Sequence, residues 1–324
     1  MRTIRYADFI PQNVAPEGFA KIGLYNAKGK RMGGIDIGGL AVQNVGRKLY
    51  SFGAISDVHL QSNTAKDDFE KALNYFNRND ISFVCICGDL TDSGSTEQLT
   101  EFKQCVENFK KPIYAISGNH ESYSGLDIPS VIQTYTGKPF YYSFEQGDDV
   151  FIMLGIKNEY DLFTDDELQW LSETLETNKN RRCFVFQHVF NGKENQVVCG
   201  NPYGLYHNYC WNNETQTAIF ESLMGRYTNA IFFHGHSHFR FNMQSKNCTY
   251  ANIDRSKGYW SIHIPSIAIP REDANGDGTA EYYTDGSEGY VIDVYKNHIV
   301  LKGRDFAKGV YLPIATYCLD TLIK

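Results

Sequence analysis

Five short polar clusters mark this 324-residue chain, and each begins where an apolar, strand-like run ends. The apolar runs are YSFGAIS, ISFVCIC, IYAIS, CFVFQ and NAIFF. The clusters that follow them are Asp57-Val58-His59, Gly88-Asp89-Leu90-Thr91-Asp92, Gly118-Asn119-His120-Glu121, His188 and His234-Gly235-His236-Ser237-His238. Because ligands bind at the carboxyl ends of strands in open α/β sheets, these distant clusters can converge on one place.

From residue 49 onward, strand-like runs alternate with helical spacing of apolar residues. Strands are predicted at 49–56, 81–87, 113–117, 151–155, 182–187 and 229–233, and helices at 64–79, 95–109, 164–177 and 214–224. Ser95 with Gln98, and Thr164 with Glu167, have the spacing of capping boxes that open helices. After Phe239 the pattern predicts strands only, at 248–253, 260–264, 289–295 and 298–303. This order predicts a layered α/β assembly on a central sheet or sheet pair.

Residues 1–48 differ from the rest of the chain. They are rich in glycine and carry two short β-like pieces, at 20–25 and 31–37, joined by the turn signal Asn26-Ala27-Lys28-Gly29. We therefore expect a small β-rich extension over residues 1–48 and a main domain over residues 49–324. The extension either packs on the main domain or docks a partner.

The residue types in the five clusters are those of a metal site. Asp, Asn and His supply oxygen and nitrogen donors, and the absence of Cys argues against a structural zinc site made of thiolates. The candidates are too many for one tetrahedral ion and suit two ions about 3.5–4 Å apart that share a carboxylate. The candidate ligands are Asp57, His59, Asp89, Asn119, His188, His236 and His238.

The order of the motifs resembles the calcineurin-like metallophosphoesterase family. D-x-H, G-D-x-x-D, G-N-H-[DE], a single His and G-H-x-H follow one another, and the match spans roughly residues 50–305. G-N-H-E alone is expected only about 0.002 times by chance in a chain of this length. The resemblance implies a four-layer α-β-β-α sandwich and hydrolysis of phosphomonoesters or phosphodiesters.

The resemblance also implies a role for each motif residue. One divalent ion is held by Asp57, His59, Asp89 and His238, and the second by Asp89, Asn119, His188 and His236. Asp89 bridges the two ions, for which Mn, Fe or Zn are expected. His120 is not a ligand but contacts phosphate and acts as general acid, with Glu121 beside it to orient the ring.

The chemistry expected of such a site follows from the charge of the ions. A water shared by two divalent ions loses a proton near neutral pH, and the bridging hydroxide attacks phosphorus in line. Protonated His120 then neutralises the leaving alkoxide.

Other readings of the same chain stay open. The motifs resemble the cyclic-nucleotide phosphodiesterase-like branch, whereas the purple acid branch has a Tyr where this chain has Asp92. A nuclease of the same superfamily is an alternative, but a net charge of −7 counts against duplex nucleic acid as a partner. A hypothesis of another class is a non-catalytic scaffold that binds a protein. Degenerate scaffolds lose ligands or the general acid, and here all of them are present.

Several further residues receive weaker predictions. Asp92 is expected to be a loop carboxylate or a partner of a ligand, and His234 to pack in the interior. His207, His263 and His298 are given no site role.

Two irregular stretches are singled out as well. Residues 189–213 form one wall of the substrate cleft in our interpretation, with Tyr203, Tyr206 or Trp211 stacked on a flat or apolar leaving group; alternatively these rings pack the loop down. The loop at 273–284 is expected to be a polar hairpin tip rather than a calcium loop, because its twelfth position is Thr284 and not Glu.

Composition argues against several classes of protein. No apolar run approaches the roughly 18–20 residues of a membrane-spanning helix, and the first residues contain no apolar core of a secretory signal. The eight cysteines form no C-x-x-C pair, which favours reduced thiols. We therefore expect a cytoplasmic protein with no membrane partner.

Overall fold

The fold is described here from a computed structural model of the chain. It describes residues 10–12, 20–25, 31–37, 47–62, 64–158, 162–189, 199–200, 214–243, 252–272, 281–282 and 285–321. Helices within these ranges are α1 (Ala65–Arg78), α2 (Thr96–Glu107), α3 (Ile128–Thr136), α4 (Asp165–Thr177) and α5 (Glu214–Arg226), with short 3₁₀ turns at His120–Ser124 and Phe241–Met243. None of these helices is long and apolar enough to cross a bilayer.

The described strands are numbered in chain order. They are β1 (Ile10–Gln12), β2 (Ala20–Tyr25), β3 (Arg31–Ile37), β4 (Tyr50–Ile55), β5 (Val84–Cys87), β6 (Ile113–Ile116), β7 (Tyr142–Gln146), β8 (Asp149–Met153), β9 (Cys183–Phe186), β10 (Ala230–His234), β11 (Ile253–Asp254), β12 (Trp260–His263), β13 (Arg271–Glu272), β14 (Glu281–Tyr282), β15 (Glu288–Val294), β16 (His298–Asp305) and β17 (Val310–Asp320).

Two mixed sheets carry most of these strands. The first sheet has the order β17-β16-β15-β4-β5-β6, and the second has the order β11-β12-β10-β9-β8-β7. The neighbours β4, β5 and β6 are parallel in the first sheet, and β8, β9, β10 and β12 are parallel in the second. Antiparallel strands flank both parallel blocks.

Side chains alternate between the two faces of each sheet, as the two-residue period of a strand requires. Cys85 and Cys87 of β5 join a core shared with the second sheet, whereas Val84 and Ile86 face the other way. Aromatic rings fill the space between the sheets: Phe52 of β4 meets Phe151 of β8 edge to face, with ring centroids 5.2 Å apart.

Helices cover the two outer faces. Phe69 of α1 and Phe102 of α2 pack with the outer side chains of the first sheet. Leu171 of α4 and Phe220 of α5 pack with the outer side chains of the second. The order of layers is therefore helix, sheet, sheet, helix, and the four-layer prediction is confirmed.

The two predicted helix caps turn out differently. Thr164 and Glu167 form a complete capping box at the start of α4. At the start of α2, Ser95 accepts a hydrogen bond from the Gln98 amide, but the Gln98 side chain accepts from Ser93 instead of returning to Ser95. The second box is therefore only half formed.

Several described elements were not predicted, among them β1, α3, β7 and β17. Helix α3 is nine residues long and is capped by Asp127, whose carboxylate accepts a hydrogen bond from the Ser130 amide. Strand β17 pairs antiparallel with β16 at the end of the first sheet, and only its second half alternates between buried and exposed residues.

Among the first 48 residues, β1, β2 and β3 form a small antiparallel sheet separate from the two large ones. Strand β1 lies near β17. The predicted strands at 20–25 and 31–37 are confirmed, whereas the boundary at residue 48 and the docking role of the extension stay predictions.

Candidate metal centre

The five polar clusters meet at the carboxyl edge of the parallel strands. Asp57 follows β4, Asp89 follows β5 and Asn119 follows β6, while His188 and His236 follow β9 and β10. We call the seven side chains gathered there the edge cluster: Asp57, His59, Asp89, Asn119, His188, His236 and His238. Each of these residues is at most 8% exposed.

Two groups within the edge cluster bring their ligand atoms within 4.8 Å of one another. One group is Asp57, His59, Asp89 and His238, and the other is Asp89, His188 and His236. Asp89 belongs to both. The acidic and histidine members of these groups are those that the family resemblance implies for two ions, with Asn119 added to the second.

Distances within the groups show how closely the donor atoms converge. His238 Nε2 lies 3.0 Å from Asp57 Oδ1 and 3.1 Å from His59 Nε2. On the other side, His188 Nε2 lies 3.0 Å from Asp89 Oδ2. Such crowding of acceptor and donor atoms in a buried place is suited to a cation between them.

Asn119 Oδ1 is buried without a hydrogen-bond partner, and the buried atoms Asp89 Oδ2 and His188 Nε2 face one another at 3.0 Å. Leaving a buried polar atom unsatisfied costs about 1–3 kcal/mol, so folded proteins rarely do it without a reason. Each of the three atoms is a metal-ligand atom of its residue type. The donor set therefore fits divalent cations.

Three of the histidine rings are oriented by a hydrogen bond that Nδ1 donates to a neighbouring oxygen atom. His188 Nδ1 donates to the Cys87 carbonyl at 2.6 Å, and His238 Nδ1 donates to the Ile269 carbonyl at 3.1 Å. His59 Nδ1 donates to the Asp92 carboxylate at 3.3 Å. With Nδ1 occupied, Nε2 is the atom that each ring turns toward the edge cluster, as is usual for metal-binding histidines.

The backbone of the edge cluster is strained. Five of its residues have positive φ although they are not glycine, namely Asp57 at 55°, His59 at 45°, Asp89 at 49°, His236 at 75° and His238 at 63°. Such conformations cost of order 1–3 kcal/mol each and concentrate at functional sites. The surrounding fold therefore forces these side chains inward.

Two motif glycines are required by close packing against the ligands. A Cβ atom on Gly118 would lie 2.1 Å from Asp89 Oδ1. A Cβ atom on Gly88, whose φ is +83°, would lie 2.6 Å from the ring of His188. These approaches explain why glycine precedes the ligand in both motifs.

Burial and neighbouring charges together set the pKa values of the side chains in the edge cluster. Burial opposes ionisation of Asp57 and Asp89, but the neighbouring histidines outweigh it and hold the pKa of both carboxyls below the ordinary value. Burial would lower the pKa of His188, yet Asp89 and Asp57 together raise it to about 9. Burial lowers the pKa of His59 to about 4. The edge cluster is thus anionic at its carboxylates, as a cation site requires.

His120 lies at the rim of the edge cluster. Its backbone amide donates to Asp89 Oδ1 at 3.0 Å, and its Nδ1 donates to the Asp92 carbonyl at 2.6 Å. Its Nε2 is 3.9 Å from Asp89 Oδ2, and its side chain is 24% exposed. The second ring nitrogen therefore lies between Asp89 and solvent.

Glu121, which the resemblance places beside His120 to orient the ring, bonds to the loops after β5 and β6. Its Oε1 accepts from the amide and hydroxyl of Thr91 at 3.0 and 2.9 Å, and its Oε2 accepts from the Gly118 amide at 2.8 Å. The ring of His120 is oriented by the Asp92 carbonyl instead. Glu121 ties the loops after β5 and β6 together, and burial together with nearby Asp89 raises its pKa to about 7.

Asp92 bonds to His59, and the two form with His120 a third group of potential ligand atoms, so the role of Asp92 as a partner of a ligand stays a prediction. His234 is fully buried and its Nε2 lies 3.1 Å from the Ser261 hydroxyl, as expected for an interior residue.

Two residues that the sequence reasoning passed over lie in or beside the edge cluster. Ser237, between two candidate ligands, has its hydroxyl 2.9 Å from His263 Nε2. Tyr123 belongs to no recognised motif, and its position three residues after His120 is the only sequence signal for it. Its hydroxyl accepts a hydrogen bond from Asn119 Nδ2 at 2.8 Å. His263 could be found only through the pairing of β12 with β10, in which it lies opposite His234.

Some predicted residues lie outside the described ranges. These are Tyr203, Tyr206, His207 and Trp211, together with most of the loop at 273–284. Of the 273–284 loop and its neighbours, β13 and β14 are described; they pair antiparallel, as expected of a hairpin. His298 lies at the start of β16, stacked on Tyr295.

Residues 50–240 match the family profile described as calcineurin-like phosphoesterase. A probable cyclic nucleotide phosphodiesterase of Fibrobacter succinogenes is 24% identical over 136 residues, which cover 39% of this chain and 52% of the relative. A probable glycerophosphodiester phosphodiesterase of Arcobacter nitrofigilis is 25% identical over 151 residues, which cover 41% of this chain and 55% of the relative. The chain therefore spans little more than half the length of these curated relatives.

A solved structure gives the same picture of the fold. A dimetal phosphatase from Danio rerio aligns with a TM-score of 0.58 at 15% identity, over 84% of this chain and 100% of that one. A likeness at this identity speaks for the layered fold alone.

Proposed function

Because this chain belongs to the calcineurin-like phosphoesterase family over residues 50–240, we propose that it hydrolyses phosphoester bonds with two divalent cations bound in the edge cluster. The observation that carries this proposal is the position of Asp89, which is fully buried and is shared by both groups of potential ligands.

The first cation is held by Asp57, His59, Asp89 and His238, and the second by Asp89, Asn119, His188 and His236. Two such cations would lower the pKa of a shared water to about 7 and neutralise charge on the phosphoryl oxygens. The protein residues hold this arrangement in place: the carbonyls behind the histidine rings fix their direction.

His120 supplies the proton that the leaving oxygen needs. Its Nδ1 is committed to the Asp92 carbonyl, so Nε2 is the nitrogen that protonates and donates. Glu121 acts indirectly, because its hydrogen bonds hold together the loops that carry Asp89 and His120.

Replacing His120 with alanine is expected to lower kcat by about 10²–10⁴-fold, the usual contribution of a general acid. The loss should be greater for phenyl esters than for nitrophenyl esters of the same geometry, because the better leaving group needs the proton less. Metal content, measured by inductively coupled plasma mass spectrometry, should stay that of the unchanged protein. An equal loss of bound metal would show that His120 is a ligand and not the acid.

The likeness to relatives named as phosphodiesterases puts diesters first in a substrate panel. We propose phosphodiesters and phosphomonoesters as the two candidate classes, and bis-nitrophenyl phosphate against nitrophenyl phosphate separates them. Turnover of the diester that stops at the monoester assigns the first class. Turnover of the monoester alone assigns the second.

Removing the metals is expected to abolish hydrolysis of either ester. Dialysis against a chelator should leave activity at the background rate, and Mn²⁺, Fe²⁺ or Zn²⁺ added back singly should restore it, since the cations supply both the activated water and the charge neutralisation. The far-ultraviolet circular dichroism of the stripped protein serves as the control for folding. Activity that survives complete removal of metal contradicts the proposal.

Metal binding measured together with the substrate panel distinguishes an enzyme from a non-catalytic scaffold. A non-catalytic scaffold would take up metal without hydrolysing any member of the panel. Docking of a partner through residues 1–48 is compatible with either outcome and stays a separate proposal.

A further inference from the structure

We propose that Tyr123 determines which leaving groups the site accepts, and that its ring selects planar, aromatic ones. This inference rests on the proposed function, because it takes His120 as the group that protonates the leaving oxygen. The candidate aromatic residues of the sequence analysis, at 203–211, lie outside the described residues, whereas Tyr123 is part of the 3₁₀ turn that carries His120.

The turn places the Tyr123 ring beside the imidazole. In a 3₁₀ helix, residues three apart lie above one another, and Tyr123 follows His120 by three. The two ring centroids are 4.6 Å apart, and their planes are inclined by 48°.

A hydrogen bond holds the ring in this position. Asn119 Nδ2 donates to the Tyr123 hydroxyl at 2.8 Å. The same bond turns the other amide atom, Asn119 Oδ1, away from the tyrosine and leaves it without a hydrogen bond in the interior. Tyr123 thus touches both the general acid and a candidate ligand.

Exposure rises outward from the edge cluster along these residues. Asn119 is 1% exposed and Tyr123 is 43% exposed, with the partly exposed side chain of His120 between them. Substrate from solvent can therefore contact the exposed face of the Tyr123 ring while its phosphoryl group lies in the edge cluster.

The position of the leaving group follows from the proton transfer. The leaving oxygen must come within about 2.6–3.2 Å of His120 Nε2 to receive its proton. The atoms bonded to that oxygen then lie next to the imidazole, within contact distance of the neighbouring ring. A flat aromatic leaving group gains stacking there that a saturated group of the same size does not.

A matched pair of ligands tests this preference without any turnover. Benzylphosphonate and cyclohexylmethylphosphonate have similar size and cannot be hydrolysed, so their dissociation constants with the Mn²⁺-loaded protein report the pocket alone. We expect the unchanged protein to bind the benzyl compound about 10-fold more tightly, the discrimination typical of one aromatic contact.

Two variants distinguish the contribution of the Tyr123 ring from that of its hydroxyl group. Tyr123→Leu should bring the two dissociation constants within about 2-fold of one another, whereas Tyr123→Phe should keep the preference because it keeps the ring. Tyr123→Phe removes the bond to Asn119, so it should weaken binding of Mn²⁺ by about 10-fold or more in a calorimetric titration. Leu126→Ala, which changes another exposed apolar residue nearby, should leave both the preference and the Mn²⁺ titration unchanged.

The outcomes distinguish this inference from the proposed function. A preference for the benzyl compound that persists in Tyr123→Leu, or that is missing in the unchanged protein, overturns the role of Tyr123. A protein that hydrolyses no phosphoester but loses the preference in Tyr123→Leu overturns the proposed function and supports the aromatic subsite.

Discussion

An Asp89→Asn variant should bind fewer than two metal ions and lose phosphoesterase activity by about 10³-fold or more. The expected loss exceeds the 10²–10³-fold cost of removing one oxyanion-hole donor, because the bridging carboxylate is shared by both ions. Asparagine fits the site otherwise: it tolerates the positive φ of this position, and its Oδ1 can still accept the bond from the His120 amide. Metal content by mass spectrometry and kcat on one ester are the measurements.

Asp92→Asn is the matched control for that variant. The Asp92 side chain is 43% exposed and contacts His59 Nδ1; it belongs to neither group that contains Asp89 but, with His59 and His120, to a third, more exposed group of potential ligand atoms. Loss of such a supporting contact typically costs about 10–100-fold in metal affinity, so this variant should still bind two ions at saturating Mn²⁺. If Asp89→Asn also retains two ions and full activity, Asp89 is not the bridge.

The second large effect is expected far from the metal centre, at a buried ion pair that joins the two sheets. Asp149, the first residue of β8, receives two hydrogen bonds from Arg182, at 3.0 Å from Nε and 2.6 Å from Nη2. Arg182 Nη1 also donates to the Tyr295 carbonyl, and the Tyr50 hydroxyl donates to Asp149. Tyr50 begins β4 and Tyr295 directly follows β15, two neighbouring strands of the first sheet, so the ion pair links the two sheets.

Asp149→Ala should lower the free energy of unfolding by about 3–5 kcal/mol, because it leaves the Arg182 charge buried without its partner. The side chains of Arg182 and Asp149 are only 4% and 7% exposed. Equilibrium unfolding in urea measures the change. Metal content of the folded variant should be unaffected, since Asp149 lies at the start of its strand and the edge cluster lies beyond the opposite ends.

A neighbouring exposed pair supplies the control. Arg181 contacts Glu145, whose side chain is 63% exposed, and Glu145→Ala should cost no more than about 1 kcal/mol. The double variant Asp149→Ala/Arg182→Met should recover part of the stability lost in Asp149→Ala, because it removes the unpaired charge. A single-variant cost below that of Glu145→Ala would contradict the role given to the pair.

The layered fold and the positions of the candidate ligands could be predicted because the information is local. Each ligand sits within five residues of the end of an apolar run, and runs such as ISFVCIC predict their strands without knowledge of neighbours. Once parallel strands share an edge, the residues after Ile55, Cys87 and Ile116 must come together in the first sheet, as must those after Phe186 and His234 in the second.

The contacts of Glu121 and His263 could not be predicted in the same way. Glu121 follows His120 directly, so sequence suggests that the two interact, yet the 3₁₀ turn sends the carboxylate back into the loop after β5. His263 reaches Ser237 only because β12 pairs beside β10, and strand order is a non-local property.

Strand β17 was missed for a third reason. Its first half, Val310 to Ile314, is mostly exposed on the outermost strand of the first sheet. Because neither face of this half is buried, apolar and polar residues do not alternate there. Alternation begins only at Ala315, Tyr317 and Leu319, which are buried against the core between the sheets. A half-length pattern at the end of a chain is a weak signal for a strand.

The central claim is that one carboxylate, Asp89, joins two cations in the edge cluster. Anomalous diffraction from crystals grown with Mn²⁺ tests it most directly. The expected result is two peaks about 3.5–4 Å apart, one bound by Asp57, His59 and His238, the other by Asn119, His188 and His236, with Asp89 touching both. A single peak at saturating Mn²⁺, or two peaks of which Asp89 contacts only one, would contradict it.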